Sequence, residues 1–327
     1  MLRRILCAAS LAFLASALCA AEPDKNTFTD PAKAGPDYAV QGEYRGEFEG
    51  ENGKEKWGGH LIALGGGKFA SAGYRGGLPG EGWQRGGEVV RGEGQREGDQ
   101  VVFRADDGAW TATAKDGALT VVDADGNLVG AMKRVVRKSS TLGAKPPEGA
   151  KVLFDGKSAD QFDKGKIVQK NLLLADCASK MKLGDHVLHL EFRTPFKPNA
   201  RGQARGNSGM YIQSRYEVQV LDSFGLEGRN NECGGIYSIS EPAVNMCYPP
   251  LQWQTYDYDF KAARYENGKK VKNARVTIRH NGVVIHKNLE LPKGTPGRQG
   301  EGPDPAPLYL QGHGNPVVYR NIWVVAK

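Results

Sequence analysis

Cysteine is scarce: five in 327 residues, with Cys7 and Cys19 both inside the first 21. That excludes a disulfide-dense scaffold, and no paired Cys-x-x-Cys is present to hold zinc. Long apolar runs are equally few. Apart from residues 5–19, no stretch approaches the length of a bilayer span. Helical periodicity is missing throughout, and no segment repeats at a fixed interval, which excludes bundles, solenoids and propellers. There is no Gly-x-Ser-x-Gly elbow, no glycine loop between a strand and a helix with a phosphate-binding lysine, and no His-x-x-x-His pair. A serine-hydrolase elbow, a nucleotide loop and a helical zinc site are therefore not expected. A divalent metal assembled from distant oxygen ligands stays open, and no other cofactor is indicated.

Charge of one sign is also in short supply. The formal net charge of +7 falls to +5 without Arg3 and Arg4, and the remaining basic residues are scattered. The one cluster, Lys269, Lys270 and Lys272, follows an Asn267-Gly268 turn signal and reads as a solvated hairpin tip, so nucleic acid is not an expected partner.

Glycine, by contrast, is abundant, with 44 residues. Together with many short runs rich in Val, Leu, Thr and Tyr it predicts an all-β protein. Residues 1–21 have the charge, apolar run and small-residue end of an export signal, which predicts a periplasmic or secreted protein without a transmembrane segment. Residues 22–37 read as a flexible leader, and residues 38–138 as a small antiparallel β domain, a meander or small barrel. Residues 139–150, with Pro146-Pro147, read as a linker, and residues 151–327 as a β-sandwich or jelly roll. Asp123, Asp125 and Asn127 make a hairpin turn rather than a calcium loop, since the closing glutamate is missing. His60 reads as a structural histidine. Cys233 and Cys247 bound a segment able to return on itself and are the expected disulfide, which leaves Cys177 as a buried small hydrophobe.

Alternation along strands sorts the candidate site residues. In YEVQVLD, Glu217 and Gln219 share a polar face that carries only one carboxylate, which disfavours the close acid pair of a retaining glycosidase. In LYLQGHG, Tyr309, Gln311 and His313 fall on one face. In GNSGMYIQ, Asn207, Gly209, Tyr211 and Gln213 do, a set suited to sugar hydroxyls and apolar sugar faces. In VLHLEFRT, His189, Glu191 and Arg193 read as a solvated sheet face.

Five motifs in order, LFDGKS, NSGMYIQ, YEVQVLD, WQTYDYDF and LYLQGHGNPVVYRNIWV, resemble the 3-keto-disaccharide hydrolase family over roughly residues 150–327. The resemblance implies a concanavalin-like jelly roll with 3-keto-glycoside 1,2-lyase and 3-keto-2-hydroxy-glucal hydratase chemistry, and an oligosaccharide or glycoside substrate. It implies Glu217 and His313 as proton-transfer groups, with Asn207, Tyr211, Gln219 and Gln311 binding substrate and Arg320 stabilising developing negative charge. One departure is Gly312, where many relatives carry an acid. The alternative of another class is a non-catalytic, lectin-like carbohydrate-binding protein, distinguished by lacking a perturbed acid in its groove. Oligomeric state is not readable from the sequence.

Overall fold

The structure, a computed structural model, describes residues 26–50, 53–105 and 107–327. The export signal expected at residues 1–21 lies outside the described residues.

Eight strands follow the first short helices: β1 (Gly42–Gly50), β2 (Gly53–Gly65), β3 (Lys68–Arg75), β4 (Val89–Glu97), β5 (Gln100–Arg104), β6 (Trp110–Lys115), β7 (Ala118–Asp123) and β8 (Leu128–Val135). Each pairs antiparallel with the next, and β8 pairs back onto β1, so the sheet closes into a barrel. The turns at Asp116-Gly117 and Asp125-Gly126 lie between β6 and β7 and between β7 and β8. Asp123 accepts the backbone N–H groups of Asp125 and Asn127, the hydrogen bonds of a turn.

The second half of the chain contributes β9 (Lys151–Phe154), β10 (Phe162–Asp163), β11 (Ile167–Val168), β12 (Leu172–Leu174), β13 (Cys177–Leu183), β14 (His186–Arg193), β15 (Ser208–Ile212) and β16 (Tyr216–Val220). It continues with β17 (Gln254–Lys261), β18 (Arg264–Glu266), β19 (Lys269–Lys272), β20 (Ala274–His280), β21 (Val283–Leu291), β22 (Ala306–Leu310) and β23 (Val318–Ala326). A five-stranded sheet, β10-β13-β22-β15-β16, packs on a larger one, β11-β12-β23-β14-β17-β20-β21 with β9 beside β23. Leu188, Leu190 and Phe192 from one sheet and Met210, Ile212, Val218 and Val220 from the other fill the space between. This is the jelly-roll sandwich expected, and the protein is all-β.

Four local expectations are corrected. The leader is folded from residue 26 on: Phe28 pairs with Phe196, and α1 (Gly35–Val40) follows a turn capped by Asp30. The polar look of this stretch concealed Phe28, which packs beside Tyr38 and Val40 on the barrel core. The linker at residues 139–150 is docked, because Ser139 and Thr141 bond Thr255, and Gly143 N–H donates to Glu191 Oε1 at 2.6 Å. It thereby covers His189 and Glu191, which are buried rather than solvated. The run KIVQKNLLLA, strand-like in composition, is not one strand but the β11–β12 hairpin, turning at Gln169 and Lys170, both with positive φ.

The barrel sits firmly on the sandwich. His60 stacks on Phe224 at 4.3 Å, Arg85 donates to the carbonyls of Gly228 and Pro242, and Arg205, paired with Asp222 at 2.7 Å, reaches Ala63 O. His60 is thus structural, as its isolation in the sequence suggested.

Candidate functional site

The outer face of the five-stranded sheet carries the predicted groups. Strand register sets Gly209 opposite Gln219, and Tyr211 opposite both Glu217 on β16 and Tyr309 on β22. Alternation sends Met210 and Val218 into the core, so Tyr211, Glu217 and Gln219 face away from it. Gln311 and Asn207, just beyond the ends of β22 and β15, join them. A Cβ placed on Gly209 would lie 2.5 Å from Glu217 Oε1 and 3.1 Å from Gln311 Oε1. That glycine is the floor on which the carboxylate and the amide meet, and any side chain there would occupy the site.

Glu217 is 5% exposed. Burial pushes its carboxyl up to about 7, against the opposing hydrogen bond from Tyr211. Tyr211 Oη donates to Glu217 Oε2 at 2.9 Å, lies 3.2 Å from Pro296 O and accepts from Gln311 Nε2 at 3.3 Å. Burial and the neighbouring Glu217 hold the phenol well above its usual range, so it stays protonated. Two proton arrangements satisfy this network. With Glu217 ionised, Tyr211 donates to it. With Glu217 neutral, the carboxylic acid donates to Tyr211, which turns its own proton to Pro296 O. A proton can therefore be gained or lost at Glu217 without breaking the scaffold around it.

Three amide oxygens on the same face, Asn207 Oδ1, Gln219 Oε1 and Gln311 Oε1, are buried without a protein partner. Native structures rarely leave such acceptors unpaired unless a ligand or water serves them, and sugar hydroxyls are the complementary donors. The nitrogens of Asn207 and Gln219 both turn to Gln203 Oε1, at 2.8 and 3.4 Å.

The loop between β21 and β22 borders the site. Thr295 Oγ1 accepts from Glu217 N–H at 2.8 Å, and Arg298 lies 4.1 Å over the Tyr309 ring. On the other side, Tyr309 Oη donates to Asp176 at 3.4 Å. Asp176 also occupies the space above Gly312, where an added Cβ would lie 2.5 Å from its own Cβ. Asp176, immediately before β13 and held at φ +77°, thus fills the space over Gly312. Asp176, Gln203, Thr295 and Arg298 carried no local motif; only strand pairing brings them here.

Not every expected residue joins this group. His313 lies beyond the end of β22, where alternation no longer applies, and it is solvent-exposed, its side chain making no hydrogen bond or ion pair among the described residues. Gln213 has left the face at the turn and donates to Leu183 O. Arg320 sits on the outer face of the other sheet, across the hydrophobic core from Glu217. It pairs there with Glu191 at 2.6 Å and stacks 3.9 Å over Trp253, so it cannot stabilise charge at Glu217. The expected disulfide is absent too. Cys233 and Cys247 are buried free thiols that hydrogen-bond each other, with Cys233 also at Tyr256 Oη and Cys247 also at the carbonyls of Leu221 and Tyr248. Cys177 is buried, and burial pushes its thiol up to about 12. Among the described residues no group of three or more His, Cys, Asp and Glu could hold a metal ion.

The family model described as a 3-keto-alpha-glucoside-1,2-lyase-like domain matches residues 149–325. A crystal structure from Parabacteroides distasonis ATCC 8503, described as a "putative glycosyl hydrolase", is similar at 29% identity with a TM-score of 0.51. It covers 55% of this chain and 85% of its own. Two others from the same organism, described in the same words, align at 17% and 18% identity with TM-scores of 0.41 and 0.39. They cover 55% and 54% of this chain and 95% and 99% of theirs. No curated protein matches.

Proposed function

The chain belongs to the family of 3-keto-alpha-glucoside-1,2-lyase-like domains, and from that membership and the setting of Glu217 we propose that it is an exported enzyme that cleaves 3-keto-glycosides. A carbonyl at C3 acidifies the proton on C2. Glu217, ionised, removes that proton, the enolate forms between C2 and C3, and its collapse expels the C1 substituent to leave a C1=C2 double bond. The leaving oxygen takes a proton from solvent as it departs. Addition of water across the same double bond completes a net hydrolysis, with protonated Glu217 returning the proton to C2.

One observation carries this reading: on the outer face of the five-stranded sheet the buried Glu217 carboxyl lies among unpaired amide oxygens, and burial raises its pKa to about 7. A base is most effective when its pKa lies near the working pH. The amide oxygens of Asn207, Gln219 and Gln311 supply acceptors for sugar hydroxyls, and Tyr211 holds Glu217 in place in both of its protonation states. A lectin-like module has no use for a buried, perturbed acid, which weighs against the non-catalytic alternative.

The test compares a chromogenic 3-keto-glucoside with its unoxidised parent. Release from the keto compound alone, lowered roughly 10²- to 10⁴-fold in Glu217→Gln, is expected. Equal release from both sugars, or full activity in Glu217→Gln, would sink the proposal.

A further inference from the structure

The N-terminal barrel lies outside the family match, and its interior is not uniformly filled. The half nearest the sandwich is solid, packed with Tyr44, Ala63, Phe69, Val101 and Ala114 and closed by Ala34 and Phe196. The other half encloses a cavity of about 320 Å³.

The sequence builds this space through small residues at inward positions. Gly59 pairs with Gly73 and Ser71 with Gly92, so the middle of β2, β3 and β4 presents almost no side-chain bulk to the lumen. Aromatic rings on other strands lie flat on the wall instead of crossing it. A Cβ on Gly92 would meet the Trp110 ring at 2.8 Å, one on Gly94 the Phe103 ring at 2.5 Å, and one on Gly130 the Phe48 ring at 2.6 Å. Gly73 differs, because a Cβ there would meet nothing closer than 3.5 Å. A side chain is sterically allowed at that position, and the chain leaves the space open. A core shaped by stability alone would fill it, since each void forfeits packing contacts.

We propose that the hollow half of the barrel is a binding site for an uncharged, flat apolar molecule of about the size of a bicyclic aromatic. The size follows from comparison: a cavity of about 150 Å³ holds one benzene ring, and this one is about 320 Å³. The class follows from the lining, in which Phe48, Trp57, Phe103, Trp110, Val121 and Met132 dominate and no Asp, Glu, Lys or Arg takes part. A charged group would be stranded there without a partner. His60 also contributes to the wall, but its ring is engaged by Tyr74, Glu43 and Phe224 and not by the lumen. The way in lies at the end away from the sandwich, where Phe48, Trp57, Trp110 and Val121 are only half-buried.

The test titrates the full-length mature protein with N-phenyl-1-naphthylamine, following probe fluorescence and quenching of tryptophan emission. The expected result is one saturable site per chain, displaced by 2-naphthol and weakened at least tenfold by Gly73→Leu, with binding unaffected by Glu217→Gln. If Gly73→Leu does not fold, Ser71→Val on the same strand serves, with the same expected weakening. Displacement by 2-naphthyl glucoside as well as by 2-naphthol would identify the aglycone of a glycoside as a source, and displacement by 2-naphthol alone a free aromatic molecule. Absence of a saturable site, undiminished binding in a folded lumen-filling variant, or displacement by decanoic acid but not by 2-naphthol would each overturn the proposal.

Discussion

At the scale of single residues, Glu217 links stability and activity in opposite directions. Its folded pKa, about 7, lies above the ordinary carboxylate value of 4.5. The folded state therefore holds its proton more tightly than the unfolded chain does, and the contribution to stability is fully present below about pH 4.5 and lost as pH rises through 7. Glu217→Gln removes that loss. Its melting temperature is expected to exceed the wild type's by several degrees at pH 8 and to match it at pH 4, on the order of 3 kcal/mol at the alkaline limit. Activity should follow the opposite course, with kcat/KM for the keto substrate rising with pH through an acidic limb near 7, because the base is the ionised form. A pH-independent rate, or a limb near 4.5, would show that Glu217 is not the base. His313→Ala, at an exposed position without a structural partner, is expected to lower kcat by less than Glu217→Gln and to leave melting unchanged. A melting loss as large as that of a core substitution would contradict its placement.

At the scale of elements, the segment 139–150 behaves as a strap across the larger sheet. Asn321 Nδ2 and Trp323 Nε1 both donate to Ala144 O, and Thr141 Oγ1 donates to Asp257 at 2.6 Å. Beneath it, His189 lies between Asp257, at 2.6 Å, and Glu191, at 3.7 Å. Burial alone would lower the His189 pKa, but the two carboxylates outweigh it and raise the value. For Glu191, burial is outweighed by His189, Asn321 and Arg320, which hold the carboxyl at about 2. The sign follows for each: the His189 contribution is complete below its unfolded value near 6.5 and fades as pH rises through the raised one, whereas that of Glu191 is complete above about 4.5 and fades only as pH falls toward 2. The strap should therefore be most tightly held in mildly acidic solution. Limited proteolysis within 139–150 is expected to accelerate above neutral pH, and to be fast at every pH in Glu191→Ala, which leaves Arg320 and Gly143 N–H without their acceptor. Equal cleavage rates in wild type and Glu191→Ala would remove the strap from the account.

For the whole molecule, the contact between barrel and sandwich uses buried charge. Arg205 neutralises Asp222, whose carboxyl burial alone pushes up, and it also caps Ala63 O on β2. Removing one partner of a buried pair strands the other, at a cost of about 3–5 kcal/mol. Wild-type protein is expected to melt in one calorimetric transition, and Arg205→Ala to melt earlier and in two, as barrel and sandwich separate. Two transitions in the wild type would mean that the interface couples the halves weakly.

Much of this was legible in the chain itself. Glycine-punctuated runs of Val, Leu and Tyr can bury one face only as strands, and alternation within YEVQVLD placed Glu217 and Gln219 outside the core before any partner strand was known. The ordered motifs carried the family. Four things were not local properties. Docking of residues 26–40 and 139–150 depends on surfaces that exist only once the sheets are built. Alternation ends with the strand, so it could not say where His313 and Gln213 would point. Which sheet a strand joins decides whether two polar residues meet, and β23 carried Arg320 to the side opposite Glu217. The meeting of Asp176 with Gly312 and the hollow within the barrel also come from strand pairing, because side chains distant in the sequence share space only when register sets them side by side. The sequence determined the strands, their faces and the family; tertiary structure alone decided which faces meet, because burial and proximity belong to the packed chain.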